Sequence, residues 1–147
     1  IGTTTGNQTP IGVWHHVCFV YDGSLVGDAR LVGYVDGVAA TLTYSGAGSF
    51  PATIGLTGTT LFVGGIGSFS NVKIAEVKAW TAALTAAEVA VEAVRKRPNR
   101  TANLTVYVPF DDGAAPKEYA TGKTVLLVEG AFDGGNLPPV SYGGKRR

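Results

Sequence analysis

Short apolar runs separated by turn-forming residues make up most of the chain. The run at 13–21 (VWHHVCFVY) puts apolar side chains on both faces of an extended strand, as in the interior of a two-layer sandwich. The next run, at 30–35, is followed by Asp36-Gly37 and a further β-rich run, which together predict a hairpin. Other strand-like runs lie at 52–56, 60–66, 71–80, 104–110 and 124–128. Their spacing of about ten residues predicts an all-β sandwich or barrel.

One segment departs from this pattern and predicts a short surface helix over about residues 85–97. Thr85 and Glu88 have the spacing of a capping box, in which each side chain bonds the other residue's backbone N–H. The run AAEVAVEAVRKR has high helix propensity and ends before Pro98. The cations at 95–97 would lie at the C-terminal end, where the helix dipole favours positive charge.

Length and composition indicate one domain with a core and exclude several classes of protein. The chain has 147 residues, 45% of them hydrophobic and 16% charged, with a net charge of +1. We expect a single domain over 1–147, with a core at 12–130 and a loosely held tail at 134–147. No apolar run is long enough to span a membrane. The basic groups at 95–100 and 145–147 are not interleaved with aromatic residues, so nucleic-acid binding is not expected.

Four segments carry a resemblance to a known family: GVWHHVCFVYDGS, RLVGYVDGV, KIAEVKAWTAALTAAEV and NLTVYVPFDDG. In this order, over about residues 12–113, they resemble the concanavalin A-like lectin/glucanase superfamily, in its laminin G/pentraxin-like branch. The resemblance implies a jelly-roll antiparallel β-sandwich. It also implies a non-catalytic module, extracellular or at the cell surface, that serves recognition or adhesion and binds glycans or glycosylated partners.

Two departures from the family pattern change what the resemblance implies. Only about twelve residues precede the strand at Trp14, whereas family members usually carry several strands before it. The chain also begins at Ile1 without a signal-like leader. We therefore expect a mature or excised segment and an incomplete domain, whose sheets meet other segments of a larger parent polypeptide or a neighbouring subunit. The second departure is Ala75, where the branch often has an acidic residue. It weakens the transfer of a ligand or metal role to that strand.

Catalysis is not expected, because the carboxylate pattern of the related glucanases is missing. Those enzymes need paired carboxylates on one strand, as Glu-x-Asp-x-x-Glu, to cleave a glycosidic bond. Glu76 has no acidic residue two or four positions away, and adjacent strand residues such as Asp111 and Asp112 point to opposite faces. Two other functions stay open: a structural module of a cell-surface filament or coat, and an accessory domain of a secreted glycoside hydrolase.

Loop residues supply the candidate binding sites. Aromatic side chains beside polar groups are typical of glycan sites, whereas Trp14 and Trp80 occupy positions where the family has packing aromatics. The ligand-binding candidates are Tyr44, Phe50, Phe69 and Tyr119, with Asn71 nearby. No cofactor is required, but calcium is common in this branch and takes six to eight oxygen ligands. The calcium candidates are Asp22, Asp28, Asp111 and Asp112, each of which turn formation also explains.

The remaining reactive or modifiable residues have structural or surface roles. A single cysteine, Cys18, excludes an internal disulfide and a cysteine-based zinc site and is predicted to be a small buried hydrophobe. His15 and His16 point to opposite faces of a strand, which indicates a structural pair rather than a metal site. Three Asn-x-Thr sequons occur, at Asn7, Asn99 and Asn103, and the proline that follows the first disfavours its use. Asn99 and Asn103 lie in the polar link after the helix, and in a secretory eukaryote we expect an N-glycan on at least one of them, which would fit a secreted or surface protein.

Overall fold

The part of the chain that the structure describes folds into short antiparallel strands and one α-helix. The computed structural model describes residues 2–4, 9–10, 12–44, 50–54, 73–110 and 117–122. Within them the elements are β1 (Gly2–Thr4), β2 (Val17–Tyr21), a 3-10 helix (Gly27–Arg30), β3 (Leu31–Val35), β4 (Val38–Ala40), β5 (Leu42–Tyr44), β6 (Val77–Trp80), α1 (Ala86–Ala93) and β7 (Leu104–Val108). Among these residues β2, β3 and β4 form a three-stranded sheet, while β1 pairs with β5 and β6 with β7, all antiparallel.

The predicted Asp-Gly hairpin is confirmed between β3 and β4. Val35 and Val38 are register partners, so Asp36 and Gly37 alone make the turn. Both have positive φ, 51° and 80°, which is the backbone geometry that a two-residue turn of this twist requires. Gly37 meets a second constraint as well, because a Cβ there would lie 3.0 Å from the Cα of Ala90 in α1. The hairpin turn therefore packs directly on the helix.

Strand β2 is shorter and less covered than the hydrophobic pattern predicts. The predicted strand at 13–21 begins only at Val17, since the backbone of His16 is held by Asp36: the His16 N–H donates to Asp36 Oδ1 and its C=O accepts from the Asp36 N–H. The prediction that both faces of this strand are buried is also wrong. Val17 and Phe19 on the outer face are 51% and 57% exposed, whereas Val20 on the inner face is buried.

The predicted helix is confirmed at its start and is wrong at its end. The Thr85–Glu88 capping box forms with both reciprocal bonds. The helix ends at Ala93 rather than 97, and Arg95–Arg97 lie beyond its last turn, so they do not serve the helix dipole as predicted. Beyond Ala93 the backbone bonds other groups: the C=O of Arg95 accepts from Lys78 in β6, and the Asn99 N–H, which would bond that C=O in a longer helix, donates to Glu92 Oε1 instead.

The other predicted strands are confirmed with shifted ends or fall outside the described residues. Within residues 73–80 of the run at 71–80 the strand begins at Val77, because Glu76 has a positive φ of 57° that breaks the extended backbone; residues 71–72 lie outside the described residues. The run at 104–110 ends as a strand at Val108, since Pro109 lacks an N–H to continue the ladder. Residues 52–54 of the run at 52–56 form no strand. Residues 55–56 and the runs at 60–66 and 124–128 lie outside the described residues.

We call the three-stranded sheet of β2, β3 and β4 the central sheet. The core lies between the inner face of this sheet and α1. Val20 and Tyr34 from the sheet meet Leu84 and Val89 from the helical segment, and Val89 is fully buried. Cys18, Val32 and Trp80 pack around this cluster. Trp80 is therefore a packing residue, as the sequence predicts, and its indole N–H donates to the Arg100 C=O at 2.7 Å.

Candidate functional site

Tyr119 presents an exposed aromatic ring on the segment that runs beside β7. Its backbone N–H donates to the Tyr107 C=O at 2.8 Å, which places 117–122 along the strand. The two rings have centroids 6.0 Å apart and are tilted by 47°, so Tyr107 supports the ring of Tyr119 from one side. Tyr119 nevertheless remains 57% exposed. We call this pair of rings the aromatic platform.

The carboxylate of Glu118 holds together the two backbone segments that carry the aromatic platform. Its carboxylate is buried and accepts bonds from the backbone N–H groups of Tyr107, Ala120 and Thr121 and from the Thr121 hydroxyl, all at 2.6–2.8 Å. Burial alone would raise the pKa of Glu118, but these bonds outweigh it and lower the pKa to about 2. The residues on both sides of Tyr119 are thus tied to one ionised carboxylate, which holds the ring in place.

Tyr44 and Phe50 meet each other, and each has a packing role. Their rings are 5.5 Å apart in an edge-to-face arrangement, and both residues are half-buried. The Tyr44 hydroxyl donates to the Leu31 C=O at 2.7 Å, and the guanidinium of Arg30 bonds the Phe50 C=O. These contacts hold β5 and the segment at 50–54 against the central sheet. Geometry therefore favours Tyr119 over this pair, while Phe69 and Asn71 lie outside the described residues.

Of the calcium candidates within the described residues, Asp22 has a local structural role. Asp22 Oδ1 accepts from the Ser24 N–H at 2.9 Å and from the Ser24 hydroxyl at 2.6 Å, and these bonds lower the pKa of Asp22. Asp28 is exposed in the first turn of the 3-10 helix. In the part of the chain that the structure describes, no three His, Cys, Asp or Glu side chains are grouped to hold a metal ion. Asp111 and Asp112 lie outside that part.

The histidine pair holds the β3–β4 turn against the start of β2. His15 Nδ1 donates to Asp36 Oδ2 at 2.8 Å, while the backbone N–H of His16 donates to the other oxygen. Burial raises the pKa of Asp36, but the bonds from both histidines outweigh it and lower the pKa. Burial, with the charge of Lys78, lowers the pKa of His16. Asp36 thus serves both histidines, which fits the structural role predicted from the sequence.

A buried ion pair joins β6 to α1 near Cys18. Lys78 Nζ lies 2.9 Å from Glu92 Oε2, and the two side chains are only 7% and 2% exposed. Burial, together with the charge of Glu92, raises the pKa of the Cys18 thiol to about 11. The thiol is therefore protonated at neutral pH and behaves as a small apolar group, since only the thiolate is an effective nucleophile.

The outer face of the central sheet carries an uncharged apolar patch. Val17, Val35 and Val38 are register partners across β2, β3 and β4 and therefore lie on one face, which Phe19 shares. Val38 is 71% exposed. Leu42 of β5 covers the neighbouring part of this face, because a Cβ at Gly33 would lie 2.9 Å from Leu42 Cδ2. We define Val17, Phe19 and Val38 as the outer patch.

Sequence reasoning named Tyr119 as a candidate but missed the groups that hold its ring in place. In the strand at 104–108 (LTVYV), Tyr107 lies between Val106 and Val108, and strand alternation could have placed it on the face opposite to theirs. Glu118 carries no such signal, since one of its donors is the backbone of Tyr107, eleven positions away, and backbone donors leave no trace in residue types. The Lys78–Glu92 pair was missed for a similar reason, because its partners lie on different elements.

Comparison with known proteins identifies the fold. A family model of laminin G type, described as the concanavalin A-like lectin/glucanases superfamily, matches residues 2–90. The match covers more than half of the chain and includes three of the four motifs on which the resemblance rests. That superfamily has the jelly-roll β-sandwich fold, so the predicted fold class is confirmed. No curated protein and no solved structure matches the chain.

Proposed function

The chain belongs to the concanavalin A-like lectin/glucanases superfamily, and we propose that it is a non-catalytic recognition or adhesion module that binds glycans or glycosylated partners at Tyr119. Laminin G-type domains are typically extracellular and generally non-catalytic, although the superfamily includes glycosidases. No helix among the described residues is long and apolar enough to cross a membrane. An extracellular or cell-surface location is part of the proposal.

The single observation that carries the proposal is a large, exposed aromatic ring that is fixed in place. An aromatic ring offers a flat apolar surface on which the C–H face of a sugar stacks, while polar groups nearby meet the hydroxyls. Tyr119 is 57% exposed, and the exposed residues Lys117 and Thr121 lie on either side of it in sequence. Because Glu118 orders this segment in the free protein, binding needs little further loss of conformational freedom.

The chemistry of this site favours binding over hydrolysis. Glycoside hydrolysis needs one carboxyl group that is protonated near neutral pH as the acid and a second as nucleophile or base. The carboxylate that bonds the backbone of the aromatic platform, Glu118, has a pKa of about 2, so it is ionised, and its oxygens already accept four hydrogen bonds. It therefore has neither the proton of a catalytic acid nor the free lone pairs of a nucleophile or base.

A glycan-array screen tests the proposed function. We expect the chain to bind a subset of glycans, Tyr119→Phe to bind the same subset, and Tyr119→Ala to lose at least about tenfold in affinity, or about 1.4 kcal/mol. Val26→Ala is the control, since it truncates another apolar side chain that is 82% exposed. We also propose that binding needs no cofactor, so the signals should persist in a chelator. Equal binding by wild type and Tyr119→Ala would contradict the site, and loss in the chelator would indicate calcium.

The outer patch favours a second candidate, a structural module of a cell-surface filament or coat. Its occupant would be another copy of this chain. A patch without charged side chains can face its own copy without like-charge repulsion. Within the described residues β2 also pairs only with β3, so its other edge can offer backbone groups to a strand of the second copy. The glycan-binding proposal has priority because nothing in the outer patch is organised in the way that Glu118 organises the aromatic platform.

Sedimentation velocity tests the second candidate. If copies associate through the outer patch, the chain should sediment as a salt-insensitive oligomer. Phe19→Lys should dissociate it, whereas Val26→Lys should not, because it adds the same charge at an exposed apolar residue outside the patch. A stable monomer at all concentrations would contradict the assembly function.

A further inference from the structure

The turn at 99–103, between α1 and β7, has its backbone directed inward. The N–H groups of Asn99 and Arg100 donate to Glu92 Oε1 at 2.7 and 2.8 Å. The C=O of Arg100 accepts from Trp80, and the C=O of Asn103 accepts from the Thr81 N–H at 2.9 Å. The turn is thus fastened by its main chain to the buried Glu92 and to the end of β6. The side chains of Asn99, Thr101 and Asn103 remain exposed.

Asn103 and Thr105, which form one of the two sequons that follow α1, each have a structural role. Asn103 has a φ of 61°, in the left-handed region that asparagine adopts more readily than most other residues. Thr105 lies in β7, and its hydroxyl donates to the Ala79 C=O at 3.2 Å. The fold therefore explains both residue types without any modification.

Asn99 and Thr101 form the other sequon, and the fold does not explain them in the same way. Only the backbone N–H of Asn99 enters the described hydrogen bonds, and its φ is not positive. Thr101 takes part through its backbone C=O, which accepts from the Leu104 N–H at 3.2 Å. Between them, the Arg100 side chain turns inward to the Ala83 C=O and Glu88, so the residue that separates the acceptor from its threonine is held in place.

We propose that Asn99 is the site of an N-linked glycan, and that the Asn103 sequon primarily serves the fold. The modification forms a bond between Asn99 Nδ2 and the anomeric carbon of an oligosaccharide. It breaks the bond from that carbon to a lipid-linked diphosphate donor, which leaves with the bonding electrons while the amide loses one proton. The exposed side chain on an anchored turn lets the finished glycan project into solvent without disturbing the core.

Expression of the full chain behind a cleavable signal in a cultured eukaryotic host tests this proposal. The protein would carry an added C-terminal reporter sequon and be weighed intact, with the peptide at residue 99 sequenced, before and after enzymatic glycan release. We expect a glycan on Asn99, lost in Asn99→Gln and Thr101→Ala and kept in Thr101→Ser and Asn103→Gln. Asn136→Gln, outside any sequon, is the matched control.

Thermal melting of the deglycosylated variants separates modification from folding. Asn99→Gln and Thr101→Ala should melt within about 1 °C of wild type, because neither changes a described side-chain contact. Asn103→Ala and Thr105→Ala should melt several degrees lower, since they strain a left-handed residue and remove a bond to Ala79. An occupied reporter with an unmodified Asn99 would overturn the proposal, as would a glycan on Asn103 alone.

Discussion

Replacing Glu92 by glutamine should remove a large part of the stability of this domain. Glu92 Oε1 accepts the N–H groups of Asn99 and Arg100, and Oε2 lies 2.9 Å from Lys78 Nζ. A glutamine oxygen can keep the two backbone bonds, but its NH2 group then faces the ammonium of Lys78. The substitution therefore isolates the ion pair and leaves a positive charge without its counter-ion in a site where the lysine side chain is only 7% exposed.

Breaking a buried pair on one side typically costs about 3–5 kcal/mol, against a total of about 5–15 kcal/mol for a domain. Glu88→Gln is the matched control on the same helix, since glutamine also completes a capping box, and it should cost less than about 1 kcal/mol. The double variant Lys78→Met/Glu92→Gln removes both charges and should regain stability relative to Glu92→Gln alone.

Equilibrium urea unfolding at pH 7, followed by tryptophan fluorescence, measures these differences. Trp80 packs against the core and is a suitable probe. If Glu92→Gln does not unfold cooperatively, restoration of the transition in the double variant still identifies the unpaired lysine as the cause. A Glu92→Gln midpoint equal to that of Glu88→Gln would refute the reasoning, as would a double variant less stable than Glu92→Gln.

Three further predictions concern the cap, the acid response and catalysis. Thr85→Ala should lower the free energy of unfolding by about 1 kcal/mol and Thr85→Ser by little, and equal denaturation midpoints for wild type and Thr85→Ala would show that the cap is unimportant. Because the pKa of Glu118 falls from 4.5 to about 2 on folding, its contribution to stability is present above pH 4.5 and lost as the pH falls towards 2. When the free energy of unfolding is measured against pH, Glu118→Gln should lack this part of the pH dependence. Identical curves for wild type and Glu118→Gln would contradict the prediction. The purified chain should not hydrolyse β-glucans or sialosides, and turnover that a single Asp or Glu substitution abolishes would refute a non-catalytic module.

Local signals in the sequence were sufficient for much of the fold. The Asp36-Gly37 turn and the Thr85–Glu88 cap depend on residues a few positions apart, and both form as predicted. Element ends were less predictable because tertiary contacts decide them. Beyond Ala93 the Arg95 C=O accepts from Lys78, on another element, and β2 starts late since Asp36 occupies the backbone of His16.

For the candidate site, too, local signals were readable from the sequence and tertiary contacts were not. Residue type and loop position were enough to name Tyr119 as a candidate, but they also named Tyr44 and Phe50, whose rings pack together. Exposure distinguishes them, and exposure depends on which segments cover which faces. The supporting role of Glu118 could not be predicted, because its carboxylate meets backbone N–H groups that any residue would supply.

The most direct test of the central claim is saturation-transfer NMR from the tyrosine rings to a glycan selected on the array. With the chain otherwise deuterated and its tyrosines protonated, saturation of the ring protons should pass to the C–H protons on one face of a bound sugar. We predict that this transfer is present in wild type and in Tyr44→Phe and is lost in Tyr119→Ala. Transfer of unchanged strength in Tyr119→Ala, from a glycan that still binds, would contradict the assignment of the aromatic platform as the binding site.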